Sequence, residues 1–335
     1  MTHLIVVEIE GADKVALMYA HWDKQPPLDG LWREGLGPRT PVIEGDLLYG
    51  RGVADDGYGT YAAVLAIKAC QKMKLPHPKI VMVFEGCEES GKNDFEYYLN
   101  KLLKTKLQKV DYVFCLDSGG ATNDRLWITT SLRGIIGINL TVKVLKDPVH
   151  SGDAGGIVPE SFTICRILLD RIQNKGKMLD DLYVKIPESR LEEAKDLCQT
   201  LKGYVHQFYP LLPEVKPENE DPTELLLRRT WYPTLAITGA EGLPSIEKAG
   251  NVLRTYTTLR ISIRVPPNID AKKASAKIVE VLTKDPPYNA EVKVECTDDS
   301  NGWNATDFTP EFKAELNKIA KVRFCIILFV GYLWV

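Results

Sequence analysis

A chain of 335 residues, 44% hydrophobic and 26% charged, has the composition of a folded globular protein and is long enough for two domains with separate cores. A formal net charge of -3 and the lack of any basic run argue against nucleic-acid binding, and the apolar stretch at 324–335 is too short to cross a bilayer. Seven scattered cysteines without a CxxC pair argue against a disulfide framework; with no basic leader ahead of Glu8, they point to reduced, mostly buried thiols in the cytoplasm.

In chain order, Val15–Ala20 (VALMYA) predicts a buried strand that delivers His21, Trp22 and Asp23 at its C-terminal end. An H-x-D pair there suits metal ligation, the imidazole binding and the carboxylate orienting it, although a lone His beside an accidental Asp would read the same. A Pro- and Gly-rich loop at 25–41 and a short strand at Asp46–Tyr49 lead to GRGVADDGYG, Gly50–Gly59. The adjacent carboxylates Asp55 and Asp56 are costly to hold together without a positive charge nearby. A metal ion supplies that charge, and one carboxylate can bridge two metals. A solvated Asp-Asp-Gly turn is the plain alternative.

Gly59 onward predicts a helix with Ala62, Leu65, Ala66 and Ala69 on one face. Lys79–Phe84 predicts the next buried strand, followed by EGCEESG at Glu85–Gly91, where Glu88 and Glu89 repeat the paired-acid pattern. One such carboxylate can ligate a metal while its neighbour handles protons. A helix at Asp94–Leu107 and a strand at Val110–Leu116 end at Asp117. Open α/β sheets place their sites outside the carboxyl ends of the strands. The residues gathered at those ends, His21, Asp55, Glu88, Glu89 and Asp117, form a hard-oxygen-plus-imidazole set suited to zinc, manganese or cobalt.

The segments HWDKQPP, LYGRGVADD, EGCEESG, CLDSG, SLRG and VHSGDAGG, in this order, resemble the dinuclear-metal exopeptidases that include carnosinase, cytosolic non-specific dipeptidase, aminoacylase and glutamate carboxypeptidase, and most of all their dipeptidase branch. The resemblance runs to about Ile319 and implies a zinc-exopeptidase-like α/β catalytic domain, a mixed open sheet flanked by helices, that hydrolyses a peptide or amide bond near a free carboxylate. It implies two divalent metal ions. His21 would ligate one, with Asp23 as its orienting partner, and Asp117 would ligate the same ion. Asp55 would bridge both and precede Asp56 through a cis peptide, Glu89 would ligate the second ion, and Glu88 would be the general base that takes a proton from the metal-bridging water.

After Arg133 the pattern changes. Ile135–Leu145 alternates as a strand does, Pro159–Ile172 reads as a helix, and strands at Thr234–Thr238, Tyr256–Val265 and Glu291–Thr297 surround a helix at Ala271–Thr283. That strand-helix-strand-strand-helix-strand order suggests an inserted ferredoxin-like α+β domain. The intervening 180–230 segment is charged and partly helical at Glu188–Leu201. The expected layout is a catalytic domain at 1–132, a lid at 133–299 and a returning catalytic segment at 300–335. By the resemblance the lid forms a homodimer, His150 stabilises the developing oxyanion, in some relatives from the partner subunit, and Arg264 in ISIRVPPN binds the substrate's terminal carboxylate. The substrate would be a peptide or an acylated amino acid.

The chain departs from the family pattern at both ends: at the start His21 arrives early, without the helices expected before the first core strand. No histidine follows His206, so the late histidine of the second metal site is missing, as is the Gly-rich substrate loop; that site keeps Asp55 and Glu89. The apolar RFCIILFVGYLWV at Arg323–Val335 reads as a buried strand or as the product of a shifted reading frame. The competing expectation is therefore an inactive truncated paralogue or gene-model fragment that holds at most one metal and dimerises through the lid. A dinucleotide-binding role for GRGVADDG fails, because the glycines lack the GxGxxG spacing and both acids would repel a pyrophosphate.

Overall fold

The computed structural model describes residues 2–90, 94–120, 122, 125–202, 204–206, 209–323 and 327–331. They form two compact units, residues 1–118 and 119–335.

The first unit is a four-stranded sheet with helices on both faces. Its strands are β1 (Leu4–Ile9), β2 (Ala12–His21), β5 (Pro78–Glu85) and β6 (Tyr112–Cys115), in the order β1-β5-β2-β6; a small hairpin of β3 (Val42–Glu44) and β4 (Leu47–Tyr49) stands apart from the sheet. Strands β5, β2 and β6 are parallel, and β1 joins β5 antiparallel. The apolar run of β5 is buried on both faces, as parallel strands require. Ile80, Met82 and Phe84 pack with Ala63 and Ile67 of α1 (Tyr58–Lys72). Val81 and Val83 pack on the other side with Leu102 of α2 (Asp94–Leu103) and Leu107. Each such side chain removed from water contributes about 1.5–3 kcal/mol.

Several boundaries differ from those expected. Helix α1 buries Gly59, Ala63 and Ile67, not the predicted face: Leu65 is 64% exposed, because an alanine-rich helix offers two faces of similar size and the larger Ile67 decides which packs. Helix α2 stops at Leu103, where the Leu102 carbonyl accepts from the amides of Thr105, Lys106 and Leu107 and closes the last turn. Strand β1 was not anticipated at all.

The second unit is built on an antiparallel sheet of β8 (Gly134–Lys143), β12 (Thr234–Glu241), β14 (Tyr256–Val265) and β15 (Glu291–Ser300), ordered β12-β14-β8-β15. Helices α4 (Ser161–Leu169) and α7 (Ala271–Thr283) cover one face, where Ile164, Leu168, Ile278 and Leu282 meet Ile136, Ile138, Ile261 and Ile263. The expected alternation of strands and helices is thus present in this unit, with α7 starting where Asp270 caps the Lys273 amide at 3.1 Å. Between the flanking strands lie β9 (Val149–His150) with α3 (Ser151–Ala154), paired to β13 (Val252–Leu253), and the β10 (Gln173–Asn174) to β11 (Lys177–Met178) hairpin.

A second core joins α5 (Glu188–Thr200) to α6 (Pro222–Thr230) through Ala194, Leu197, Leu226, Leu227 and Trp231. A three-stranded sheet completes the unit: β7 (Leu126–Leu132) pairs antiparallel with β16 (Trp303–Asn304) and parallel with β17 (Ile327–Gly331). Helix α8 (Pro310–Arg323) precedes β17. Part of the apolar C-terminal run is therefore a strand; residues 324–326 and 332–335 of it lie outside the described residues.

Candidate metal centre

The parallel strands of the first unit bring their C-terminal ends level. His21 stands opposite Glu85 in the β2–β5 register and Tyr19 opposite Cys115 in β2–β6, so the loops that carry Asp23, Glu88, Glu89 and Asp117 leave the sheet side by side. The Asp55-Asp56 turn meets them from the start of α1, where the positive end of the helix favours acids. The peptide between Asp55 and Asp56 is cis.

His21 is at the centre and buried. Its Nδ1 lies 3.0 Å from the Asp23 carbonyl and 3.6 Å from the Asp23 carboxylate, while Nε2 lies 3.0 Å from Asp55 Oδ1 and 3.7 Å from Asp117 Oδ2. With the Nδ1 proton given to Asp23, the Nε2 lone pair faces the two acids, the tautomer a metal ligand needs. Ligand atoms of His21, Asp55 and Asp117 all fall within 4.8 Å of one another, and so do those of His21, Glu88 and Glu89. The sequence assigned Asp23 to orienting the imidazole through its carboxylate; the main-chain carbonyl is the closer contact, carboxylate Oδ1 lies behind it, and Oδ2 accepts the Glu89 amide at 3.0 Å.

Two residues that the sequence reading passed over, and a third that it named without a role in the site, support the centre. Gln25 donates to the Glu89 carboxylate. Glu85, buried at the end of β5, accepts from the Tyr19 hydroxyl and lies 3.4 Å from the Cys87 thiol. Asp56, flagged only as the neighbour of Asp55, accepts the His21 amide at 3.3 Å and fixes the end of β2.

Crowded acids raise one another's pKa. Burial first, then Asp117, lifts Asp56 to about 6. Glu88 reaches the surface, yet partial desolvation, with Asp117, Glu89 and Glu85 adding to it and His21 opposing, lifts it to about 7. Burial also raises Asp117 and Glu89. For His21 burial works against the imidazolium, but Asp117, the Asp23 carbonyl, Glu88 and Asp55 outweigh it and raise its pKa. The donor set fits a divalent cation: one imidazole nitrogen and several hard oxygens converge, their mutual repulsion is what such a charge would relieve, and Asp56 Oδ1 is buried without a hydrogen-bond partner.

The glycines of the turn are there for clearance. Gly52 has φ +77 and lies against the Lys24 methylenes, and a Cβ on Gly59 would stand 2.6 Å from Asp56 Oδ1. Gly59→Ala is expected to push the Asp56 carboxylate off the His21 amide at a cost of about 1–3 kcal/mol. Metal content after dialysis should fall several-fold; an unchanged content would show that Asp56 does not hold the imidazole in place.

The other two predicted site residues are in the second unit. His150 sits at the end of β9, exposed, with Nδ1 accepting the Gly152 amide at 3.1 Å. Arg264 is exposed on β14, opposite Thr234.

This fold and acid–imidazole cluster are those of a metallopeptidase class, and the chain matches the profile of peptidase family M20/M25/M40 over residues 17–322: it belongs to that family. It is 26% identical over 309 residues to the Cys-Gly metallodipeptidase DUG1 of Candida albicans, covering 90% of this chain and 64% of that protein. It is likewise 26% identical over 273 residues to the human Beta-Ala-His dipeptidase, covering 79% of this chain and 52% of that one. Among solved structures, the di-peptidase Dug1p of Saccharomyces cerevisiae superposes with a TM-score of 0.74 at 23% identity, covering 98% of this chain and 70% of that one, a likeness of fold. The chain thus spans less than two thirds of the length of these curated relatives. None of its described helices is long and apolar enough to cross a membrane.

Proposed function

We propose that this chain is a metal-dependent dipeptidase that hydrolyses a peptide or amide bond next to a free carboxylate. The observation that carries this reading is the convergence of His21, Asp55, Asp117, Glu88 and Glu89 at one end of a parallel sheet. The names of the relatives, Cys-Gly metallodipeptidase and Beta-Ala-His dipeptidase, support the substrate class.

In this reading His21, Asp55 and Asp117 would hold one ion, and Asp55 and Glu89 would hold a second, with zinc, manganese or cobalt as the metals that suit such donors. A bound metal would supply Lewis acidity, polarising the substrate carbonyl and lowering the pKa of water enough for a carboxylate to deprotonate it. Asp23 holds the His21 ring in the ligating tautomer. Glu88, raised to about 7, accepts the proton of the attacking water at its carboxylate and returns it to the leaving amine. Arg264 takes the substrate's terminal carboxylate in its planar fork, and His150 donates to the developing oxyanion.

The layout that goes with these roles is a catalytic domain at 1–132, a ferredoxin-like lid at 133–299 through which two copies pair, and a further catalytic segment at 300–335, in a cytoplasmic enzyme. The β12-β14-β8-β15 order, with helices on one face, supports the lid assignment.

The test is hydrolysis of Cys-Gly, β-Ala-His and N-acetyl amino acids by the purified chain loaded with zinc or manganese. Turnover is expected for dipeptides with a free C-terminus and should be lost when that carboxylate is amidated. A chain that carries two ions and cleaves none of them would sink the proposal.

A further inference from the structure

The second unit has one core on its antiparallel sheet and another between α5 and α6, and the walls of a cavity of about 650 Å³ draw on both. Tyr183 and Leu235 pack against the first core and Tyr232 against the second, and all three line the cavity beside the buried Pro233. Small-molecule sites are of this size and kind: concave, largely apolar, with a few polar groups that converge. Neither Arg264 nor His150 lines it.

The aromatic wall is tied in place. Tyr183 and Tyr232 stand edge to face, with ring centroids 5.9 Å apart and planes at 69°. The Tyr183 hydroxyl accepts the Met178 amide at 3.3 Å, and the Tyr232 hydroxyl donates to Glu224, also at 3.3 Å. Each ring is held at its polar end, which leaves the ring body to meet a ligand.

The charges that line the cavity are paired, with one exception. Arg228 pairs with Glu224 at 3.1 Å and with Glu218 at 3.6 Å, and its guanidinium lies 6.0 Å over the Tyr232 ring. Lys177 pairs with Asp180 at 2.6 Å. The Lys175 ammonium has no ion pair or hydrogen bond among the described residues, and neither has the side-chain amide of Gln173. Lys175 sits in the two-residue turn between β10 and β11, where its φ of +49 and the +81 of Gly176 give the left-handed pair that such a hairpin turn requires. A lone lysine in open water needs no partner. At the rim of a cavity whose other charges are paired, it makes an anion the favoured guest.

We infer that this cavity binds a small molecule made of a flat aromatic ring and one carboxylate, the ring against Tyr183 and Tyr232 and the carboxylate on Lys175 and the Gln173 amide. The site is independent of the dipeptidase reading above, since no group of the metal centre takes part in it.

The test is isothermal titration of the full chain, stripped of divalent ions, with 2-naphthylacetate and with 2-naphthylacetamide, which share a ring and differ in charge. The acid should bind about fivefold more tightly, the most that a partly exposed ion pair supplies, and salt at about 0.5 M should remove most of that preference. Lys175→Gln should bring the two affinities within about 1.5-fold. Tyr183→Leu should weaken both by roughly two- to tenfold, the contribution of one aromatic contact, with its melting temperature read alongside. Lys175→Gln breaks no side-chain bond to a described residue, so it keeps the test open if Tyr183→Leu disturbs the fold. Arg264→Gln should change neither affinity, because Arg264 is not part of the cavity. No binding of either probe, equal affinities, a preference that survives Lys175→Gln, or one that disappears with Arg264→Gln would overturn the proposal.

Discussion

Glu88→Gln is expected to lower kcat on a dipeptide by about 10²–10⁴-fold while leaving metal content and KM nearly unchanged. Glu88 belongs to the group formed with His21 and Glu89, yet it is the exposed member of that group. A carboxylate that only held metal would profit from a low pKa, whereas a base that must take and return a proton works best near the operating pH. A value raised to about 7 is that of the second kind. Glutamine keeps the size and the surface position, so the fold should lose little, roughly 0.5 kcal/mol or less. Glu85→Gln makes the contrast: Glu85 is buried under Tyr19 and Cys87, and its loss should show as lower stability. The measurement is steady-state kinetics beside metal analysis for each variant. A Glu88→Gln chain that keeps more than about a tenth of wild-type kcat would remove Glu88 from the role of base.

Stripped of divalent ions, the chain should melt at a higher temperature near pH 5.5 than near pH 8, and excess zinc or manganese should reverse that order. The acids of the centre have folded-state pKa values above their ordinary 3.8 and 4.5: Asp56 at about 6, Glu88 at about 7, with Asp117 and Glu89 also raised. The folded chain then holds protons that the unfolded chain has released. The stability so gained is full below about pH 4 and is lost as pH climbs through about 6 to 7. His21 acts in the same direction, since its raised pKa favours the protonated fold and its contribution is lost as the ring deprotonates. The exposed acids with lowered values, Glu8, Asp29, Asp270 and Glu295, work the other way, but solvent screens them.

Metal ligation needs the ligands unprotonated, so it strengthens over the same range in which the metal-free centre weakens. At a metal concentration a thousandfold above Kd the gain is about 4 kcal/mol. Asp117→Ala should erase most of that gain at pH 8. Calorimetric scans at the two pH values, with metal and with chelator, decide the matter. The same order of melting temperatures in both conditions, or a metal-dependent rise that survives Asp117→Ala, would count against the centre.

Much of this centre could be read from the sequence because its ligands follow strands buried on both faces. VALMYA and KIVMVF are unbroken apolar runs, so their ends were visible and His21 and the Glu88-Glu89 pair could be placed there. Helix α7 was legible to the residue, since its apolar spacing begins at a capping aspartate. Strand β1 was not, because LIVVEI is an edge strand whose Ile5 and Val7 stay largely exposed and whose pattern is broken by Glu8. Helix α6 also went unread, although Asp221 capping the Thr223 amide and Pro222 in the first turn are start signals that the surrounding charge obscured. Within the site, what stayed hidden was whatever depends on folding back through space. Gln25 reaching Glu89, or the second oxygen of the Asp23 carboxylate accepting the Glu89 amide, leaves no trace in spacing.

The unbroken parallel pairing from Ala16 opposite Ile80 to His21 opposite Glu85 makes β2 a ruler for the centre. Successive side chains along a strand leave opposite faces, so adding or removing one residue between Ala16 and His21 would turn the imidazole to the wrong side of the sheet. Changes of residue size in this stretch are a matter of packing, but changes of residue number are all-or-none. Variation in length among functional relatives should therefore be shut out of VALMYAH and collect in loops such as 25–41, whose own length does not set the height of any ligand.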